Sequence, residues 1–155
     1  MHKVMQMGCQ LYYSLESNFC REVPGRTFML SHPDELKYVK SHEFVSVDGD
    51  IATIGITAFA ADQLGDVTFV ELPKVGEKFK TEQKFGVIES VKSVSDLFMP
   101  IAGEITAIND NLNSEPELVN LDTYKGGWMI KVKIENASEV GSLMSAEDYK
   151  KFIVD

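Results

Sequence analysis

Asp48-Gly49-Asp50 lies between two runs, Phe44-Val45-Ser46-Val47 and Ile51-Ala52-Thr53-Ile54-Gly55-Ile56, each rich in apolar residues at alternate positions. An Asp-Gly pair flanked by such runs closes an antiparallel hairpin, because the tight turn needs residues that tolerate positive φ. The pattern repeats along the chain. Val67 to Leu72 reads as a strand stopped by Pro73, and Val75-Gly76 turns the chain into Lys78-Phe79-Lys80. Phe85 to Ser90 and Val94 to Met99 bracket another bend, and Gly103 to Ile108 and Trp128 to Ile134 complete the set. Met129-Ile130-Lys131-Val132-Lys133-Ile134 alternates apolar with basic residues, which predicts an edge strand with one wet face. The chain is therefore expected to be mainly β, built of short antiparallel strands.

Helices are few and short on this reading. Thr57 caps a helix from Ala58 to Leu64, with Gly65 as its left-handed stop. Ser114 is expected to cap a turn through Glu115-Pro116-Glu117-Leu118. The clearest is carboxyl-terminal: Ser145 caps, Asp148 sits at the third helical position, and Met144 staples onto Tyr149. Tyr149, Phe152 and Ile153 share one face of that helix, which must dock on the β core.

With 155 residues and 44% apolar content the chain suffices for one ordinary domain. Its apolar runs break within a few residues, far short of the roughly 20 that cross a bilayer, so no membrane role is expected. Residues 1–33 hold Lys3, Arg21 and Arg26 against Glu16 and Glu22, a net of +1, whereas residues 34–155 hold 12 bases and 22 acids, a net of −10. A field of that sign repels phosphate backbones and excludes nucleic acid as a partner. Both cysteines, Cys9 and Cys20, lie in the first segment, and no second CxxC or histidine cluster completes a metal site. Any redox sulfur in the remainder has to come from a cofactor.

Residues 1–33 read as a flexible leader, with Met29 as an alternative start, and residues 34–155 as the folded domain. The leader lacks the apolar core of a secretory signal. Glu16, Glu22 and sparse serine argue against a transit peptide, so the expected compartment is the cytoplasm, with the mitochondrial matrix as the alternative.

One residue stands out inside the strand pattern. Lys92 occupies the bend of Gly86-Val87-Ile88-Glu89-Ser90-Val91-Lys92-Ser93-Val94-Ser95-Asp96, between two strand-like runs. A lysine amine at a hairpin tip, beside small residues such as Ser90 and Ser93, is accessible to an enzyme that forms an amide. Lone exposed lysines are otherwise ordinary surface, so the flanking sequence decides.

The flanks resemble a known family. Gly86 to Lys92, with Ser41-His42-Glu43-Phe44, Ile54-Gly55-Ile56-Thr57, Gln63-Leu64-Gly65-Asp66, Val70-Glu71-Leu72-Pro73 and Tyr124-Lys125-Gly126-Gly127-Trp128, is similar to the H protein of the glycine cleavage system. The likeness spans about residues 36–153, with its motifs in the same order. Glu-Ser-Val-Lys separates it from biotin carriers, whose lysine follows methionine, and from the lipoyl domains of 2-oxoacid dehydrogenases, where Asp-Lys is usual. The resemblance implies a barrel-sandwich hybrid of short antiparallel strands with a carboxyl-terminal helix, and lipoate in amide linkage on Lys92.

It also implies a carrier rather than an enzyme. In relatives the oxidised ring accepts an aminomethyl group from a pyridoxal-phosphate glycine decarboxylase, the P protein. An aminomethyltransferase, the T protein, passes the one-carbon unit to tetrahydrofolate, and dihydrolipoamide dehydrogenase, the L protein, reoxidises the dithiol. A lipoyl ligase or transferase installs the group, and a free monomer is the expected state of such a shuttle. The loaded arm folds into a surface cleft in this family, and the matching positions are Ser41, Glu43 and Asp96. Gln63 stands where some relatives have histidine, and Phe44 where tryptophan is common.

The remaining candidates point elsewhere. His42 has no nucleophile set beside it by motif and is expected to be structural. Gly126-Gly127-Trp128 lacks the Lys-Ser/Thr of a phosphate loop and reads as a turn that brings Trp128 into the core. Two other functions stay open: a lipoyl relay that passes lipoate to other carriers, and a β-rich interaction module with an unmodified lysine.

Overall fold

The structure is a computed structural model that describes residues 19–23, 26–30 and 32–154. Most of the expected leader, the Pro24-Gly25 break included, lies outside the described residues. Within that stretch β1 (Phe19–Val23) and β2 (Arg26–Leu30) pair antiparallel, which the leader reading did not anticipate.

The domain then runs through β3 (Lys37–Tyr38), β4 (Glu43–Asp48), β5 (Ile51–Ile56), α1 (Ala58–Leu64), β6 (Val67–Glu71), β7 (Lys78–Phe79), β8 (Lys84–Ser90) and β9 (Val94–Phe98). It continues through β10 (Gly103–Ile108), α2 (Asn111–Ser114), α3 (Leu118–Leu121), β11 (Ile130–Ile134), α4 (Ala137–Gly141) and α5 (Ala146–Val154). Six strands form one antiparallel sheet in the order β3-β4-β5-β11-β10-β7, and three form a second in the order β6-β8-β9. The expected Asp48-Gly49-Asp50 hairpin joins β4 to β5, with Asp48 opposite Ile51 and Gly49 at φ +62°. The two sheets share one core without closing into a barrel: Val45, Ile54 and Val132 from the larger meet Val70, Ile88 and Leu97 from the smaller. None of the described helices is long and apolar enough to cross a membrane.

Three local expectations are corrected. β11 is not an edge strand; it lies between β5 and β10. Its basic residues report a sheet face and not a sheet border, since Lys133 is exposed while Ile130 and Val132 are buried. Ser114 caps nothing downstream: it ends α2, its hydroxyl donating to the Asn111 carbonyl, and Glu117 occupies the cap position of α3 without a side-chain bond. Trp128 is only half-buried, with the Lys131 ammonium 5.0 Å from its ring centroid, while the neighbouring Met129 takes the core position. An aromatic residue at the mouth of a strand can be covered by a cation as well as by a core.

The carboxyl-terminal helix docks as expected. The Asp148 amide donates to Ser145 Oγ at 3.2 Å, and fully buried Tyr149 stacks on Tyr38 with centroids 4.8 Å apart. Met144 packs into the same second cluster and pairs through its backbone with Tyr38. His32, inside the segment read as leader, packs into the same cluster: its buried ring meets Tyr149 edge-on at 5.2 Å.

Tyr149 also joins three elements through its hydroxyl. That oxygen lies 2.7 Å from His42 Nδ1 and 2.8 Å from Thr57 Oγ1, and Thr57 caps α1 by accepting from the Ala60 amide. Removing only the hydroxyl strands these groups in a low-dielectric site. Tyr149→Phe is expected to lower unfolding free energy by about 1–3 kcal/mol, with an unchanged denaturant slope.

Candidate functional site

Lys92 sits in the bend between β8 and β9 and is exposed, as are Val91 and Ser93. Ser90 builds the bend: its hydroxyl accepts from the Ser93 amide at 3.1 Å and the Lys92 amide at 3.4 Å, while its own amide bonds the Ser93 carbonyl. A serine that closes a turn on itself fixes the tip without bulk around the lysine. The Val91 amide donates to the Asp66 carbonyl, tying the tip to the segment after α1. Gly65, at φ +78°, ends α1 beneath the lysine; a Cβ there would lie 3.5 Å from Lys92 Cε.

A cleft of about 410 Å³ opens beside this bend. Ser93 and Asp96 line it from the lysine hairpin, Gln63 from α1, and Ser41, His42 and Glu43 from the far side. The three carboxylate and hydroxyl positions singled out from the sequence, Ser41, Glu43 and Asp96, are thus brought to one cavity although 55 residues separate the first from the last. Phe44, one residue on, is fully buried against Tyr124 and faces away from it.

The two acids differ. Asp96 is half-exposed and its Oδ1 lies 2.8 Å from Lys84 Nζ, an ion pair open to solvent. Glu43 is 1% exposed; Ser41 Oγ donates to its Oε2 and the Phe98 amide donates to its Oε1 at 3.1 Å. Burial pushes the Glu43 carboxyl up to about 7, against the opposing pull of these hydrogen bonds. His42, at φ +72° in the turn between Ser41 and Glu43, spends Nδ1 on Tyr149, and burial lowers its pKa. It is a neutral bracing group.

The Glu43 shift fixes a pH dependence. Its folded value lies above the ordinary 4.5, so the folded chain holds an extra proton between about pH 4.5 and 7. Stability therefore falls as pH rises through that window, and the loss is complete above it. Glu43→Gln keeps an oxygen for the Phe98 amide and removes the titration. The variant is expected to gain on the wild type by on the order of 3 kcal/mol between pH 4.5 and 8, read from denaturant midpoints.

Sequence reasoning missed the residues that hold this site together. Asn120 accepts from the Val67 amide at 2.9 Å and donates to the Gly65 carbonyl at 2.8 Å, clamping the floor under Lys92. The Tyr124 hydroxyl accepts from the Ala58 amide at 3.0 Å. Both partners are more than 50 residues distant in the chain, and no local pattern announces them.

Two antiparallel sheets around one core, presenting a lysine at a hairpin tip beside a carboxylate-lined cleft, define a lysine-presenting β domain. A family model described as Glycine cleavage H-protein matches residues 36–155. A probable glycine cleavage system H protein of Haloarcula marismortui is 51% identical over 118 residues, 76% of this chain and 93% of that one. The glycine cleavage system H protein of Symbiobacterium thermophilum is 49% identical over 124 residues, 80% of this chain and 97% of that one. The crystal structure of a glycine cleavage system H protein from Mycobacterium marinum superposes with a TM-score of 0.73 at 33% identity, covering 79% of this chain and 99% of that one. The chain belongs to the glycine cleavage H-protein family.

Proposed function

We propose that this chain is a lipoyl carrier of the glycine cleavage system, with lipoate in amide linkage on Lys92. It takes the aminomethyl group of glycine at the pyridoxal-phosphate glycine decarboxylase and delivers it to the aminomethyltransferase; dihydrolipoamide dehydrogenase restores the carrier. It acts as a covalent-cofactor carrier and not as an enzyme. The observation that supports this reading best is the exposed Lys92 bend opening onto a cleft that gathers Ser41, Glu43 and Asp96, in a chain of this family.

The residues present suit the group. Ser90 and Ser93 leave the amine clear for acylation, and Ser93 and Asp96 continue the path from the bend into the cleft. When attached, lipoate supplies a disulfide that accepts the one-carbon unit. The chain's own side chains then do the holding: ionised Glu43 accepts a charge-assisted hydrogen bond from a protonated amine, the Ser41 hydroxyl keeps the Glu43 carboxylate oriented, and Asp96, paired with Lys84, stands at the edge of the cleft. A cation entering beside Glu43 favours its ionised form, so the cleft is most receptive when loaded. The carboxylate lining favours this reading over the lipoyl relay, which has no use for an amine site.

Intact mass of the natively produced chain tests the attachment, with a lipoyl increment at Lys92 as the expected result. Glycine-bicarbonate exchange with the decarboxylase tests the carrier role. An unmodified Lys92 after treatment with ligase, ATP and lipoate would remove it, and a lipoylated chain without exchange would leave only the relay.

A further inference from the structure

The outer face of the β6-β8-β9 sheet carries apolar side chains where a wet sheet face ordinarily carries polar ones. Residues directly opposite on antiparallel strands share a face, so Phe69, Glu89 and Val94 form one row across the sheet, and Glu71, Val87 and Asp96 form the next. The inner face is the core side, where Val70 and Ile88 are each 1% exposed. On the outer row Phe69 is 49% and Val94 63% exposed, and Val91 at the adjoining tip is 71% exposed. Lys92 follows Val91 directly. A strip in which Phe69, Val87 and Val94 alternate with the carboxylates of Glu71, Glu89 and Asp96 thus leads up to the lysine, Asp96 being paired with Lys84.

Size limits what such a face can do. Three strands spaced about 4.8 Å apart and roughly five residues long present on the order of 250 Å². A standard stable interface buries about 800 Å² per partner, so this strip alone supports brief encounters. Its charge selects the visitor: carboxylates interleaved with apolar groups complement an apolar surface that also carries lysine or arginine.

We propose that this face is the docking surface for the enzyme that acylates Lys92, a protein whose active-site mouth is both apolar and basic. The inference rests on the lipoyl-carrier reading above. Geometry singles out the acylating enzyme among the partners. Amide formation requires its active site to reach Lys92 Nζ itself, and hence to cover the tip and the strip beside it. The later enzymes meet the far end of a long arm and can stand off from the sheet. In the step, the deprotonated amine attacks the acyl carbon of a lipoyl adenylate; the C–N bond forms, the C–O bond to AMP breaks, and the amine proton passes to solvent. No electron changes hands.

The test uses the full unmodified chain, a lipoate-protein ligase, ATP and lipoate. Phe69→Ser/Val94→Ser is compared with Val47→Ser/Val75→Ser, which removes two exposed apolar groups away from the face. The strip variant is expected to lose about tenfold in kcat/KM for acylation, mainly through KM, with its melting temperature unchanged. The control is expected to stay within about twofold of wild type. Both variants, acylated to completion by long incubation, should support glycine-bicarbonate exchange at wild-type rate. Undiminished acylation of the strip variant overturns the proposal, as does a control that falls equally or an exchange rate that falls in parallel with acylation. Should the double variant melt early, Val94→Ser alone is read by the same criteria. A wild-type chain that resists acylation sinks the carrier reading and this one together; a readily acylated strip variant sinks only this one.

Discussion

Lys92→Ala is expected to abolish both acylation and glycine-bicarbonate exchange while leaving the domain folded. The side chain is exposed on a bend whose hydrogen bonds come from Ser90 and the backbone, and none of those bonds needs the lysine amine. Truncating an exposed side chain away from caps and cores changes stability by about 0.5 kcal/mol or less. Activity, by contrast, depends on a single nucleophile. Without Nζ no amide forms, and a free lipoate in solution forfeits the effective concentration that a tether provides. Exchange should therefore fall to background. Lys92→Arg sharpens the test, since it keeps the positive charge and loses the acylable amine. It is expected to be as inactive as the alanine variant. Exchange that survives in either would show that another group carries the one-carbon unit.

Gly86→Ala is expected to be the most damaging single methyl in the domain. Gly86 lies in β8 against β6, and a Cβ built there would stand 2.2 Å from the Glu71 carbonyl oxygen and 3.3 Å from its carbon. Those are backbone atoms of the neighbouring strand, so no side chain can swing aside. Relief requires β6 to move away from β8, across a ladder that pairs Glu71 with Val87 and Val70 with Ile88. Val70 and Ile88 are both core residues. The expected loss is about 3 kcal/mol or more, which for a domain of this size lowers the melting temperature by roughly 10 °C. Because β8 also presents the lysine, acylation should slow although Lys92 is unchanged. Gly141→Ala provides the contrast: it ends a short helix with open space where the Cβ would go, and is expected to be neutral or slightly stabilising. A Gly86→Ala chain that melts with the wild type would show that the two strands are less closely set than described.

The strands were legible because their signals are local. Asp48-Gly49, Pro73, Val75-Gly76 and the Thr57 and Gly65 caps each act within a few residues; the structure ends β6 just before Pro73 and places a turn or helix end at each of the others. The lysine bend was legible for the same reason. Position within a sheet was not. The alternation in Met129 to Ile134 marks which face is wet, but whether β5 and β10 flank the strand depends on residues far away in the chain. Ser114 was misjudged because a serine can bond backward to a carbonyl as readily as forward to an amide, and α2 closes first.

The candidate cleft divides in the same way. Ser41, Glu43 and Asp96 were picked out by resemblance alone, and nothing in their spacing shows that β4, the turn before it and β9 carry them to one cavity. Nor does the sequence distinguish the two acids. Only packing makes Glu43 a buried carboxyl near neutrality and Asp96 a solvated ion-pair partner.

What the chain's order of residues determined by itself was a set of short strands, their turns, two capped helices and one lysine at a bend, all governed by contacts between near neighbours. Tertiary structure alone decided which strands flank one another, where Tyr149 and Asn120 tie distant elements, and how far each carboxylate is removed from water. The reason is that burial and dielectric are properties of everything packed around a group, and in a β fold most of that comes from elsewhere in the chain.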